Sequence, residues 1–261
     1  MPDPLMKTPD LDDWDAHWAQ FADAASRNPA QIYRHATLLR LLAEPAGHSP
    51  VRLLDVGSGQ GDFMVKAAHA WPAAALCGFE MSATGVEMTR RKLPGAQALV
   101  VDLFQPPPEA APYRAWATHA VCSEVLEHVD DPAALLRAAH AYLADGARLI
   151  VTVPGGPMSA YDRHIGHRRH FTRASIARYL EEGGFQPEHV FMAGFPFFNL
   201  YRLTVIARGA KLAGDVRAGA RAPASSLAER VMGGFRLLFR FNRLDSRFGW
   251  QVVAVARKVT P

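Results

Sequence analysis

Two carboxylates and one imidazole follow an apolar run near the middle of the chain, in the sequence Glu-Val-Leu-Glu-His. Glu124, Glu127 and His128 stand at offsets of three and four, so a helical turn starting there would put them on one face. Oxygen and imidazole ligands that converge at a strand end are typical of a site for Mg²⁺, Mn²⁺ or a comparable ion. The simpler alternative is that Glu124 only stabilises a helix N-terminus.

Three more histidines lie in an arginine-rich segment after the next strand-like run. His164, His167 and His170 fall between Asp162 and Thr172, which we expect to form a loop over the same site. An imidazole changes its protonation state near neutral pH, so His164 and His170 are candidate general bases. Histidines in such a loop can also serve only as hydrogen-bonding residues of a lid.

A glycine-rich turn joins the first strand-like run to the helical run that follows it, in the sequence Asp-Val-Gly-Ser-Gly-Gln-Gly from Asp55 to Gly61. Glycine permits a positive φ and lets a ligand lie against the backbone, although this pattern alone could also serve a dinucleotide. Glu80 ends the next strand, where a carboxylate can bind both hydroxyls of a ribose. Asp102 follows the third strand and has no counterpart in a nicotinamide fingerprint.

Strand-like and helical runs alternate from residue 51 onward, which predicts a parallel sheet with helices on both faces. The predicted strands are 51–56, 75–79, 98–101, 117–122, 148–153, 186–192 and 250–256. The predicted helices between them are 62–70, 82–92, 132–143 and 173–182. Before Pro50, the spacing of Trp14 and Trp18 and the run 32–42 predict two further helices that cover one mouth of the sheet.

As a set, the glycine turn and the acidic strand ends resemble the successive signatures of class I S-adenosylmethionine-dependent methyltransferases, over about residues 51–192. The resemblance implies an α/β fold with a Rossmann-like sheet of seven strands. It also implies that the last strand, 250–256, is antiparallel.

The same resemblance implies S-adenosylmethionine as the cofactor. Asp55 and the glycine turn would hold its methionine part, and Glu80 its ribose. Met81 would flank the adenine, whose amino group would donate to Asp102 while the backbone N–H of Leu103 donates to the ring. The full predicted set of cofactor-binding residues is Asp55, Gly57, Ser58, Gly59, Gly61, Glu80, Met81, Asp102, Leu103 and Ser123.

The Glu-x-x-Glu-His motif at 124–128, which we call the corner, and the histidine segment at 162–172 together resemble the small-RNA 3′-terminal 2′-O-methyltransferases. In that family a histidine five residues before a helix-starting threonine joins the corner, and here these residues are His167 and Thr172. The corner also resembles that of ubiquinone-pathway O-methyltransferases, whose substrates are catechols. The resemblance implies that Glu124, Glu127, His128 and His167 hold a divalent metal, which would lower the pKa of an acceptor hydroxyl. The catalytic candidates are His128, His164, His167 and His170.

The composition is that of a folded globular chain, with 261 residues of which 49% are hydrophobic and 21% charged. Residues 1–10 offer proline and aspartate where a secretory signal needs basic and apolar stretches, and no run of eighteen apolar residues occurs. We therefore expect a cytoplasmic protein. Cys77 and Cys122 lie inside strand-like apolar runs and are expected to be core residues.

Roughly fifty residues between the last two predicted strands fit neither a hairpin nor a linker, and we interpret them as an inserted helical cap. The predicted organisation is N-terminal helices at 1–49, an α/β core at 50–194, the cap at 195–247 and the final core strand at 248–261. We expect the start of the cap to wall an acceptor cavity. The apolar residues that support this are Phe195, Phe197, Phe198, Tyr201 and Leu203.

Positive charge is concentrated near the end of the chain. Residues 200–261 hold 12 Lys and Arg against 3 Asp and Glu, whereas residues 1–199 hold 17 against 22. Interleaved basic and apolar residues favour contact with an anionic membrane or a homodimer interface, although arginines can also merely solvate helical faces. These residues are Arg202, Arg208, Lys211, Phe235, Arg236, Leu237, Leu238, Phe239, Arg240, Phe241 and Arg243.

We favour O-methylation of a small hydroxylated acceptor, such as a catechol, a sugar or a natural product, assisted by a divalent metal. The alternatives are a metal-free N- or carboxyl-methyltransferase and an RNA 2′-O-methyltransferase. The Asn/Asp-Pro-Pro-Tyr motif typical of enzymes that methylate amino groups of bases or glutamine is absent after the fourth predicted strand. Nucleic acid is not an expected partner, because no aromatic platform of a single-strand-binding module is recognisable.

Overall fold

The computed structural model describes residues 13–42, 51–217 and 226–259. The predictions about residues 1–10 and about the boundary between 49 and 50 lie outside the described residues. No helix in the described part has both the length and the apolar character needed to span a bilayer.

Seven strands form one sheet in the order β3-β2-β1-β4-β5-β7-β6. The strands are β1 (Arg52–Val56), β2 (Ala75–Glu80), β3 (Gln97–Val100), β4 (Ala117–Ser123), β5 (Leu143–Pro154), β6 (Phe185–Ala193) and β7 (Gln251–Lys258). Strands β1 to β5 pair in parallel, and β7 is antiparallel to both of its neighbours. The predicted seven-stranded α/β sheet with an antiparallel last strand is therefore confirmed.

Helices cover both faces of this sheet. They are α1 (Trp14–Arg27), α2 (Pro29–Leu42), α3 (Asp62–Ala70), α4 (Ala83–Lys92), α5 (Pro132–His140), α6 (Ala160–His164), α7 (Arg173–Glu182), α8 (Phe197–Arg217) and α9 (Ser226–Leu238). Successive strand residues point to opposite faces, so Leu53 joins the core beneath α2 and α3 while Leu54 joins the core beneath α5 and α7. Cys77 and Cys122 are buried free thiols, as expected.

Three predicted features of the chain path are wrong. Helix α5 ends at His140, and β5 begins at Leu143 because that residue pairs with Ala117 before the register shifts. The segment from Asp162 to Thr172 is not a loop throughout, since a capping box at Ser159 starts the short helix α6, which includes His164; the loop begins at Ile165 and contains His167 and His170. Strand β6 has the same direction as β5, but its neighbour is the antiparallel β7 and not a parallel strand.

Hydrogen bonds to the start of α4 hold helix α1 across the carboxyl edge of the sheet. The Oδ1 atom of Asp15 accepts hydrogen bonds from the Ser82 hydroxyl at 2.6 Å and from the Thr84 N–H at 2.8 Å, both at the start of α4. These bonds place Trp14 and Trp18 above the glycine-rich turn between β1 and α3.

The cap packs against the N-terminal helices through a separate apolar core. Ala30 of α2 shares this core with residues of α8, α9 and the 3₁₀ turn Phe239–Phe241, namely Phe198, Tyr201, Phe235 and Phe239. Because β6 ends at the carboxyl edge of the sheet, α8 starts at the same edge as the glycine-rich turn, although three strands separate β6 from β1.

Candidate active site

The glycine-rich turn has the backbone conformation that its sequence predicts. Gly57, Gly59 and Gly61 have φ values of 71°, 55° and 77°. A Cβ on Gly59 would lie 2.5 Å from a carbon of the Trp18 ring, so a side chain there has no room. The turn needs glycine both for its dihedral angles and for its close approach to α1.

Two buried carboxylates lie directly beneath this turn. Glu80 accepts hydrogen bonds from the Gly59 N–H at 2.7 Å and from the Ser82 N–H at 2.9 Å, which holds the turn against the end of β2. Burial, followed by the nearby charge of Glu80, raises the pKa of Asp55 to about 7. A positively charged ligand group beside Asp55 would restore its ionised form.

Two cavities open on either side of the turn. Cavity A has a volume of about 360 Å³, and cavity B has a volume of about 420 Å³. Trp14, Trp18 and Gly57 line both of them. One elongated ligand can therefore extend from cavity B across the turn into cavity A.

The predicted cofactor residues divide between the two cavities. Those that line cavity A are Asp55, Gly57, Ser58, Gly59 and Ser123. Those that line cavity B are Gly57, Glu80, Met81, Asp102 and Leu103. Gly61 lines neither cavity; it precedes α3 and packs against Thr89. The binding roles of all ten residues stay predictions.

The Glu-x-x-Glu-His corner does not form one continuous helical face. Glu124 has a left-handed φ of 57°, and the helical turn spans only Leu126–His128. The Glu124 carboxylate accepts a hydrogen bond from Gln251 at 2.9 Å and lies 3.5 Å from the Arg34 guanidinium. Its side chain thus faces β7 and α2. It still lines cavity A with Glu127 and His128, but it is not in their group of converging ligand atoms.

Glu127 is fully buried at the floor of cavity A. Neither of its carboxylate oxygens has a hydrogen-bond partner in the described part of the chain. Burial, followed by the charge of Glu124, raises the pKa of Glu127 well above its usual value. A buried carboxylate without donors is costly unless a proton or a cation neutralises it.

Two imidazoles lie beside this carboxylate. Ligand atoms of Glu127, His128 and His167 all lie within 4.8 Å of one another, and a second such group joins His167 to Asp162 and His170. Burial and the neighbouring His128 lower the pKa of His167, so its ring is neutral at pH 7. A neutral imidazole is the form that binds a metal.

The hydrogen bonds of His170 determine which His167 nitrogen is available. The Gly156 carbonyl can only accept, so His170 donates to it from Nδ1 over 3.1 Å and keeps a lone pair on Nε2. That lone pair accepts the Nδ1–H of His167 over 3.3 Å. The lone pair of His167 is therefore on Nε2, where outer hydrogen bonding prepares it as a ligand.

The sequence interpretation missed the roles of Asp162 and Arg202. Asp162 is fully buried, and the Arg202 guanidinium of α8 lies 2.9 and 2.8 Å from its two oxygens. Burial alone would raise the pKa of Asp162, but Arg202 and the hydrogen bonds from Ser159 bring it below its usual value. The Ser-x-x-Asp capping pattern could have located α6, whereas nothing local indicates that Arg202 points inward.

The structure corrects two other sets of predicted residues. His164 lines neither cavity and belongs to neither group of ligand atoms among the described residues. Of the five apolar residues expected to wall the acceptor cavity, Tyr201 does so, together with Arg202 and Val205. The rest do not line cavity A: Phe198 packs inside the cap core, Leu203 is exposed, and Phe195 and Phe197 lie away from the cavity.

Residues 25–190 match the family model of a methyltransferase domain. The chain belongs to this methyltransferase family. It is 31% identical to a trans-aconitate 2-methyltransferase from Methylobacterium nodulans over 143 residues, which cover 54% of this chain and 50% of that protein. A trans-aconitate 2-methyltransferase from Rhodococcus jostii is 28% identical over 145 residues, 54% of each chain. The chain thus spans about half the length of the curated relatives it matches.

Solved structures of methyltransferases share the fold of this family member. The geranyl diphosphate C-methyltransferase from Streptomyces coelicolor superposes with a TM-score of 0.54 at 17% identity, over 86% of this chain and 76% of that one. The sheet order and the match together confirm the Rossmann-like class I methyltransferase fold.

Proposed function

We propose that this chain is an S-adenosylmethionine-dependent methyltransferase that transfers the methyl group to a hydroxyl oxygen of a small acceptor bound in cavity A. In this proposal Glu127, His128 and His167 hold a divalent metal ion beside the acceptor. The observation that carries it is the fully buried Glu127 carboxylate, which has no described hydrogen-bond donor and lies within 4.8 Å of ligand atoms of two histidines.

The arrangement of the two cavities supports the cofactor assignment. Cavity B presents the strand-end carboxylates Glu80 and Asp102 together with Met81, which suits an adenosine group. Cavity A begins at the glycine-rich turn above Asp55, which suits the cationic methionine part. The methyl group would then lie close to the corner that contains Glu127.

The donor set fits a divalent ion of intermediate hardness. Two imidazoles and one carboxylate suit a borderline ion such as Mn²⁺, Fe²⁺ or Zn²⁺ better than Mg²⁺, which prefers oxygen ligands. Burial and the charge of Glu124 raise the pKa of Glu127 although Arg34 acts in the opposite direction, and a bound cation would favour the ionised carboxylate. Glu124, the fourth predicted ligand, could bind the same ion only if its carboxylate turned away from Gln251 and Arg34.

Methyl transfer makes limited demands on the protein. The acceptor oxygen forms a bond to the methyl carbon, the carbon–sulfur bond breaks with its electrons moving to sulfur, and the hydroxyl proton leaves to a base. A bound divalent ion supplies a lowered hydroxyl pKa and a fixed oxygen position. Trp14 and Trp18 line both cavities beside the turn and would limit the access of water, and the hydrogen bond to His170 would maintain the His167 tautomer that faces the site.

A carboxylate acceptor is the second candidate, and the relatives' name supports it because trans-aconitate is a tricarboxylate. Arg34 and Arg202 line cavity A and could bind such an anion. Both guanidinium groups already face carboxylates, Glu124 at 3.5 Å and Asp162 at 2.8 Å. We therefore favour a hydroxyl acceptor, with its oxygen beside the unpaired Glu127.

Metal binding can be tested without knowing the acceptor. Mn²⁺ added to the purified protein should give a stoichiometric loss of the free-ion electron paramagnetic resonance signal. Glu127→Gln should weaken this binding by about a hundredfold, since it removes the charged ligand. Glu87→Gln, at an exposed carboxylate on α4, is the matched control and should bind like the wild type. Absence of wild-type binding, or equal binding by Glu127→Gln, would reject the site.

Turnover distinguishes the two acceptor classes. Release of S-adenosylhomocysteine can be followed with a panel of catechols, sugars and tricarboxylates, with and without a chelator. Chelator-sensitive turnover of a hydroxylated compound supports the first candidate. Chelator-insensitive turnover of a carboxylate supports the second candidate. In that reaction His128 or His167 would contact the acceptor without a metal.

A further inference from the structure

Exposed apolar side chains are concentrated on the outside of the cap. Ten large hydrophobic side chains in the described part of the chain are exposed, and six of them lie between residues 200 and 248. They are Leu200, Leu203, Val231, Leu237, Phe241 and Phe248. We call these six, together with the exposed Arg240, Arg243 and Arg247, the outer surface of the cap.

Hydrogen bonds bring three parts of this surface to one corner of the molecule. The side-chain oxygen of Asn242 accepts from the N–H groups of Phe197 and Phe198 at the start of α8. The amide of Asn199 donates to the Phe248 carbonyl at 2.6 Å. The exposed neighbours of these residues along the chain, Leu200, Phe241 and Phe248, are therefore held close together.

Helix α9 and the 3₁₀ turn after it carry two apolar faces. Phe235 and Phe239 are four residues apart and pack inward on Tyr201. Leu237 and Phe241 are also four residues apart and are 57% and 67% exposed. Residues two apart point to nearly opposite sides of a helix, so the second pair is directed outward.

The described part of the chain shows no acidic partner for the arginines of this surface. Within the described residues, Arg240, Arg243 and Arg247 form no salt bridge, and Arg247 stacks over the Phe248 ring with its guanidinium carbon 4.6 Å from the centroid. Residues 200–261 as a whole contain 12 basic against 3 acidic residues. The surface thus combines a net positive charge with large apolar side chains.

We propose that the outer surface of the cap docks on an anionic lipid bilayer, with Leu237 and Phe241 entering the headgroup region and the arginines contacting lipid phosphates. An anionic bilayer satisfies both the charge and the apolar side chains. A second copy of this chain would bring the same arginines face to face in a two-fold interface, which charge repulsion opposes. The proposal does not depend on the reaction, because Tyr201, Arg202 and Val205 use the other side of α8 to line cavity A.

The test is flotation of the purified full chain with vesicles of phosphatidylcholine alone or of phosphatidylcholine with one third phosphatidylglycerol. We expect binding to the anionic vesicles only, weakened by salt. Leu237→Ser combined with Phe241→Ser should reduce the partition coefficient by at least tenfold. Arg240→Gln combined with Arg243→Gln should reduce it by more than tenfold, since each arginine at an anionic surface contributes about fivefold.

Matched controls carry the same chemical changes elsewhere. Val100→Ser changes an exposed apolar residue on β3, and Arg91→Gln combined with Arg178→Gln changes two exposed arginines on α4 and α7. These variants should float like the wild type. The proposal is overturned if the wild type binds neither vesicle or if the controls lose as much binding as the outer-surface variants. It is also overturned if light scattering shows a dimer that the outer-surface variants dissociate while vesicles bind nothing.

Discussion

Asp55 couples folding to pH in the protein without ligand. The side chain lies beneath the glycine-rich turn with 4% of its surface exposed, and burial followed by Glu80 raises its pKa from 3.8 to about 7. Folding therefore moves this carboxyl from water into a site that favours its protonated form. Asp55→Asn removes the titrating group and keeps nearly the same shape.

The sign and size of the effect follow from this difference in pKa. Between about pH 4 and pH 7 the folded state binds more protons at Asp55 than the unfolded state does. The contribution of Asp55 to the free energy of unfolding therefore falls as the pH rises through this window and is constant above it. Each pH unit in the window lowers the contribution of Asp55 to the free energy of unfolding by about 1.4 kcal/mol. At pH 8 the ionised Asp55 therefore lowers the free energy of unfolding by about 4 kcal/mol.

The assay is urea denaturation of the ligand-free protein, followed by circular dichroism at several pH values from 5 to 8. The new amide changes stability by an amount independent of pH, so the pH dependence of the difference isolates the carboxyl. From pH 5 to pH 8, the free energy of unfolding of the variant relative to that of the wild type should rise by about 2 to 3 kcal/mol. Glu87→Gln controls for the loss of one exposed carboxylate. A difference between Asp55→Asn and the wild type that stays constant over this range would refute the reasoning.

The same titration predicts how the wild type binds its proposed cofactor. A positively charged ligand group beside Asp55 needs the ionised carboxylate, so S-adenosylmethionine affinity should fall by up to about tenfold per pH unit below pH 7. Calorimetry should show weak binding without this pH dependence in Asp55→Asn.

Gly59→Val should abolish S-adenosylmethionine binding in calorimetry, because its Cβ would lie 2.5 Å from the Trp18 ring, whereas nothing lies within 4 Å of a Cβ on the control Gly95→Val. Unchanged affinity in Gly59→Val would contradict the placement of the turn. Arg202→Leu should lower the free energy of unfolding in urea by about 3 to 5 kcal/mol, since it leaves the buried Asp162 carboxylate without its main counter-charge; a smaller loss than with Arg178→Leu would argue against this ion pair. A chelator should reduce turnover at least tenfold with Mn²⁺ restoring it, and full activity after metal removal would exclude the metal-assisted reaction.

The fold was predictable because its signals are local. The alternation of apolar strands and helices, the glycine-rich turn after β1 and the capping threonine Thr172 each depend on residues a few positions apart. Positive φ at Gly57 and Gly59 follows from the type of residue, and the observed values agree. The cytoplasmic location, the proposed boundaries of the cap and the binding roles of the site residues stay predictions.

The corner at Glu124 shows where local reasoning fails. Spacing alone put Glu124, Glu127 and His128 on one helical face. In the structure the Glu124 N–H pairs with Thr152 of β5, and its carboxylate faces Gln251, which is 127 residues further along the chain. Such partners depend on the order of strands in the sheet, which the spacing within a motif does not contain.

The sequence by itself determined that the cap interleaves basic residues with apolar ones, among them Phe235, Leu237, Phe239 and Phe241, and carries a strong positive charge. Only the tertiary structure decided that Phe235 and Phe239 face inward while Leu237 and Phe241 face solvent. The two pairs are chemically alike, so periodicity cannot distinguish them. Packing against Tyr201 selects the inner pair, because an apolar surface is buried by whichever neighbour the chain path brings to it.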